Sequence, residues 1–169
     1  FFKQKTAYEI DLPSELSYCG SKNLTDKLDG FNIDIGKMLL SPTRSYAPLL
    51  KLIFDEIGRN KINGIIHCTG GGQTKILHFI DNLHILKNNL FEIPPIFKLI
   101  MNESKTDPKE MYKVFNMGHR MEIYLDPENA SMVIDISKSV GIDAKIIGEV
   151  IESDHKKLSI QSELGNFDY

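Results

Sequence analysis

The stretch IIHCTGGGQTKILHF, Ile65 to Phe79, limits what this chain can fold into more than any other. An apolar, β-branched run ends in three consecutive glycines and resumes with apolar residues at helical spacing. Glycine loses more backbone freedom on ordering than any other residue, so a triplet interrupts a strand or helix and marks a sharp turn between them. Such a turn has two uses. Glycines let a backbone approach an anion with no Cβ in the way, and a helix beginning near Gln73 offers free amides and a positive dipole end. The same residues also make a plain tight connection, which spacing alone slightly favours. Neither a Walker A loop nor a dinucleotide fingerprint is present, because Lys75 has the wrong offset from the glycines and GxGxxG is missing.

Around this unit the chain alternates between helical and extended patterns without regularity. Residues 11–34 are polar and turn-rich, and are expected to be mostly irregular. Tyr46, Leu49, Leu50, Ile53, Phe54 and Ile57 share one helical face, which predicts a helix from Thr43 to Ile57. Within "LSPTR", Ser41 or Thr43 would cap it, Pro48 sits in its first turns, and Gly58 stops it. Ile62 to Thr69 reads as a strand, 83–86 as a second, and Pro94 and Pro95 open another helix. Asp107, with proline next and Glu110 three residues on, starts a helix over 107–115. "RMEIYL" alternates Met121, Ile123 and Leu125 against Glu122 and Tyr124, which is a strand. A helix from Asp126 to Val140 and a strand in "AKIIGEV" follow, read as a β-α-β unit whose strands are parallel neighbours with a right-handed crossover. A last strand over 157–160 precedes a polar tail. This mixture predicts an α+β fold, a mixed β-sheet packed with helices.

Composition narrows the partners. With 169 residues, 41% hydrophobic, 25% charged and a net charge of −3, the chain suits one buried core and offers no basic face for nucleic acid or an anionic membrane. No apolar run reaches the roughly 18 residues of a membrane span. Two cysteines, Cys19 and Cys68, are too few for a disulfide framework and lack metal-ligand spacing. No metal site is expected, and a reduced, cytoplasmic setting follows. The opening FFKQKTAYEI, residues 1–10, reads like one frame of a common sequencing-library adapter. It is set apart as foreign, which leaves 11–169 as the natural segment.

Several residues could carry chemistry, each against a plainer role. Thr69, Gly70, Gly71 and Gly72 form the candidate cradle. His67 and Cys68 are adjacent on a strand and so point to opposite faces, which disfavours a nucleophile pair. Arg44 could bring a guanidinium fork to an anion. Asn116, in "FNMGHRM", is explained about equally by turn chemistry and by ligand contact.

Together, "LLSPTRSYAPLL", "GIIHCTGGG", "IPPIFKLI", "EMYKVFNMG" and "IIGEV", in this order, resemble the C-terminal half of the phosphoribosylformylglycinamidine cyclo-ligase (AIR synthetase) family. The resemblance spans nearly all of 11–169, and the family's N-terminal, ATP-binding half has no counterpart in it. It implies a ring closure in purine synthesis, in which ATP activates the formyl oxygen of formylglycinamidine ribonucleotide and aminoimidazole ribonucleotide, ADP and phosphate result. ATP and Mg²⁺ would be bound mainly by the missing half, the complete enzyme would be a homodimer, and the isolated segment would be inactive. On that view Thr69 to Gly72 hold a ribonucleotide phosphate, Arg44 and Asn116 line the same cleft, and His67 orients the substrate. Two places depart from the widespread pattern: Gln73-Thr74-Lys75 after the glycines, and His119-Arg120 after "FNMG". A related ATP-dependent enzyme, such as a selenophosphate synthetase or formylglycinamidine ribonucleotide synthase, and a stand-alone phosphate-binding module are the alternatives.

Overall fold

The computed structural model describes residues 20–169, so the adapter-like start lies outside the described residues. Residues 20–34 hold one isolated bridge, Lys27 to Asp34, and otherwise turns, before a short helix α1 (Ile35–Leu39) capped by the Asp34 carboxylate. Helix α2 (Ala47–Ile57) begins later than the periodicity predicts. Neither Ser41 nor Thr43 caps it; Pro48 fills the first turn and Tyr46 precedes it without a side-chain cap bond. Gly58, at φ 91°, ends it with an amide bond to Phe54 O.

Strand β1 (Ile62–His67) runs into the glycines, and β2 (Leu83–Lys87) leaves on the other side. Between them, residues Gly72–His78 form a 3₁₀ run rather than the expected α-helix. Helix α3 (Pro95–Ser104) and helix α4 (Pro108–Val114) follow, the latter capped by Asp107 accepting from the Lys109 amide, with Glu110 pairing to Lys113. Strand β3 (Met121–Leu125) leads through a 3₁₀ turn into α5 (Ala130–Ser139). Strands β4 (Gly148–Glu152), β5 (Lys157–Ser162) and β6 (Gly165–Asp168) complete the chain, β6 arising where a polar tail is predicted.

Among the described residues the fold is α+β with two sheets. β1 pairs antiparallel with β3, and a four-stranded mixed sheet has the order β4-β2-β5-β6, with β2 and β5 parallel. This corrects the predicted β-α-β unit: β3 and β4 belong to different sheets, and neither neighbours the other. The reason lies just before β4. The amides of Asn88 and Asn89 donate to Ile147 O and the Asn89 side chain to Ile146 O, which ties the segment after α5 to the end of β2. β4 then pairs antiparallel with β2.

Two apolar clusters hold these layers. Leu49 and Ile53 of α2 and Val133 of α5 pack over Ile62, Met121, Ile123 and Leu125 of the two-stranded sheet. The larger cluster joins Ile66, Ile76, Ile85, Met111, Tyr112, Leu158 and Ile160 beneath the four-stranded sheet and α4. No helix among the described residues is long and apolar enough to cross a membrane.

Candidate functional site

β1 delivers His67 and Cys68 to the rim of the glycine loop with opposite aspects, as strand geometry requires. His67 is exposed and meets the Tyr46 ring edge-on at 6.0 Å, whereas Cys68 is 3% exposed. Burial, and then the charge of Glu122, push the Cys68 thiol up to about 12, so it stays protonated and unreactive.

Beyond Cys68 the chain turns through Thr69 and Gly70. Gly71 takes φ 90°, a left-handed conformation that disfavours any side chain. Gly72 serves a different purpose. A Cβ there would lie 2.5 Å from Phe115 O and 2.7 Å from Tyr112 O, so only glycine lets the loop seat against the end of α4. Among the described residues the amides of Gly70 and Gly71 have no hydrogen-bond partner, while the Gly72 amide is used internally by Thr69 O. Lys75 folds back over the turn, its Nζ 2.8 Å from Thr69 Oγ1 and 3.0 Å from His67 O. Two open amides beside an ammonium suit an anion. The segment beyond the glycines is only seven residues of 3₁₀ geometry, so the dipole of an α-helix plays little part.

Asn116 belongs to the same assembly through its main chain. Its carbonyl accepts from Gln73 Nε2, and its side-chain Oδ1 accepts from the Gly118 amide, which shapes the turn. His67, Thr69, Gly70, Gly71, Gly72 and Asn116 therefore converge. Arg44 does not join them by any contact: its guanidinium donates to Gly141 O, 3.1 Å away, beyond the end of α5.

Behind the loop lies a buried polar network that single-segment reasoning missed. Lys87 Nζ donates to Glu122 Oε1 at 2.5 Å, to Gln73 O at 2.8 Å and to Gln73 Oε1 at 3.0 Å. His119 Nε2 lies 2.7 Å from the same Glu122 oxygen, and Tyr124 donates to the other at 2.5 Å. Burial alone would raise the Glu122 carboxyl, but the His119 hydrogen bond and the Lys87 charge outweigh it and hold it down to about 2. Burial lowers His119 below its ordinary value, against the pull of Glu122, so its neutral imidazole donates from Nε2. A signal did exist, since Lys87 and Glu122 are charges at the end of, or inside, apolar strands.

Cys68, His119 and Glu122 bring ligating atoms within 4.8 Å of one another. They do not fit Mg²⁺, which takes an all-oxygen octahedral set, and a softer ion would first have to displace the Lys87 ammonium. A cleft of about 1180 Å³ opens between β1–β3 and β2–β4, lined mainly by aliphatic side chains such as Ile65, Ile85 and Ile123, and Lys87, His119, Glu122 and Tyr124 of the network also line it. None of the seven sequence-predicted site residues lines it.

Comparison with known proteins adds a second line of observation. A sequence profile described as the C-terminal domain of AIR synthase related proteins matches residues 20–161. The phosphoribosylformylglycinamidine cyclo-ligase of Methanococcus vannielii is 35% identical over 143 residues, 82% of this chain and 40% of that protein. The chloroplastic enzyme of the same name from Arabidopsis thaliana is 32% identical over 135 residues, 78% of this chain and 34% of that protein. The chain thus spans about 40% of the length of the curated relatives it matches. The crystal structure of E. coli HypE, a hydrogenase maturation protein, superposes with a TM-score of 0.54 at 19% identity, over 80% of this chain and 42% of that one, a likeness of fold.

Proposed function

The chain belongs to the AIR synthase related family, whose C-terminal domain it carries, and from that premise we propose that it is the substrate-binding part of a phosphoribosylformylglycinamidine cyclo-ligase. The complete enzyme would close formylglycinamidine ribonucleotide to aminoimidazole ribonucleotide in the cytoplasm, with ATP becoming ADP and phosphate. We assign ATP, Mg²⁺ and the homodimer interface to the part of the relatives' length that this chain does not span.

Within the chain, the open amides of Gly70 and Gly71 and the Lys75 ammonium would hold the ribonucleotide phosphate. Thr69, already bonded to Lys75, would turn its hydroxyl toward the same anion. His67, exposed and braced by Tyr46, would orient the ribose end of the substrate, and Asn116 would keep the opposite wall in place. Arg44 would reach the anion only by leaving Gly141 O.

One observation carries this reading: a glycine loop with two unpartnered amides and an ammonium held at its entrance by Thr69, in a domain whose relatives are named cyclo-ligases. The test is Gly71→Val in the full-length protein. It should raise the KM for the ribonucleotide about tenfold or more, on the scale of losing hydrogen bonds to a charged group. An unchanged KM removes the loop from the site. The segment 11–169 alone should form no aminoimidazole ribonucleotide, and turnover by it would refute the division of labour.

A further inference from the structure

Gln73 is the joint between the loop and the interior. It follows Gly72 directly, is 1% exposed, and commits both ends of its side-chain amide: Nε2 to Asn116 O and Oε1 to Lys87. Its own carbonyl accepts a second bond from the same ammonium. Lys87 is equally buried, and an ammonium has three N–H donors. They go to Gln73 O, Gln73 Oε1 and Glu122 Oε1. Glu122 is fixed in turn by His119 and Tyr124. Because Lys87 ends β2 and Glu122 lies in β3, this chain of bonds ties the loop to both sheets.

A buried ion pair contributes little stability compared with apolar packing of the same volume. Its clearer effect here is positional. The loop contains three glycines, which left to themselves would sample many backbone states. We infer that Lys87 is a positioning residue for the glycine loop: by holding Gln73 through both its main-chain and its side-chain oxygen, it fixes the direction in which the Gly70 and Gly71 amides face a phosphate. The inference rests on the reading of that loop as a phosphate cradle. Lys87 itself is 1% exposed and acts on the loop through Gln73. Pre-ordered amides bind an anion without first losing backbone entropy, which is how a residue that meets the loop at Gln73 and not at the amides themselves alters affinity.

The test uses the full-length protein, with ribose 5-phosphate as probe in calorimetry. K87M/E122Q removes both charges together, so neither is left buried alone. Q73L leaves the ion pair intact and removes the side-chain link. Each should weaken ribose 5-phosphate binding about tenfold, which is ~1.4 kcal/mol. The ribonucleotide KM should rise with it while kcat and ATP affinity hold, a split that general loss of structure would not give. A folded variant of either kind that keeps wild-type affinity overturns the inference, and so does a failure of both to fold. If Gly71→Val loses the probe while both network variants keep it, the cradle stands and Lys87 is excluded. If the wild-type protein does not bind ribose 5-phosphate, the cradle reading falls first and the inference with it.

Discussion

The two faces of β3 make the sharpest contrast in the molecule. Met121, Ile123 and Leu125 pack on the cluster under α2 and α5, an ordinary apolar contact. Glu122 and Tyr124 alternate with them onto the opposite face, where water would be expected. That face is also covered: Glu122 is 5% exposed and Tyr124 packs against the larger cluster. Strand alternation shows which side chains share a face, but not whether a polar face meets solvent. Here it meets Lys87, and each side of one strand carries a different kind of energy. The apolar face gains from area removed from water. The charged face is close to neutral while intact and expensive when half of it is removed.

Four measurements would break or sharpen that contrast. The largest effect is expected from Glu122→Ala, which leaves the Lys87 ammonium buried without a counter-charge; denaturant unfolding should lose about 3–5 kcal/mol. A value near zero would mean that the charged face costs nothing to break and that Lys87 is not stranded. Next comes acid. His119 is held below its ordinary 6.5, so as pH falls through that value the unfolded chain takes up a proton that the folded chain resists. Glu122 repeats this between its ordinary 4.5 and about 2. Both groups bind protons more readily when unfolded, so stability is full at neutral pH and falls on acidification across both windows. The Glu122 part is on the order of 3 kcal/mol and should vanish in E122Q. On the other face, Ile123→Ala should cost about 2 kcal/mol, with no change in the acid profile. The smallest effect belongs to an ion pair in water. Lys51→Ala removes a 2.5 Å contact with Asp55 whose side chains are 75% and 54% exposed, and thermal unfolding should register under about 0.5 kcal/mol.

Much of this was legible before any coordinates. The α2 stripe, the Asp107 cap and the strand around Ile123 are local patterns, and local patterns survive folding. The glycine loop could be located from sequence, although the divided roles of its glycines could not. Gly71 needs its backbone angle, whereas Gly72, also at positive φ, needs room as well, beside carbonyls some forty positions away. Lys75 has the wrong offset from the glycines for a Walker A loop, yet the 3₁₀ run turns it back onto Thr69. Strand partnership was misread for β3 and β4, since it is decided by non-local bonds from Asn88 and Asn89. Gln73 and His119 stood out only as departures from a family pattern. In three dimensions they attach to the same Lys87–Glu122 pair, so the two departures are parts of one arrangement.

The position of β2 has a consequence in time. It is an inner strand in the order β4-β2-β5-β6, yet both of its partners follow it only after an intervening stretch that holds α3, α4, β3 and α5. Until β4 and β5 have left the ribosome, β2 has no strand neighbour on either edge, although Gln73 and Glu122 are already made and can hold Lys87 at its tip. Topologies dominated by such distant pairings fold in milliseconds to seconds rather than microseconds. The four-stranded sheet therefore cannot form until β4 and β5 have been made, and a nascent chain halted before β4 would expose an aliphatic strand with two open edges.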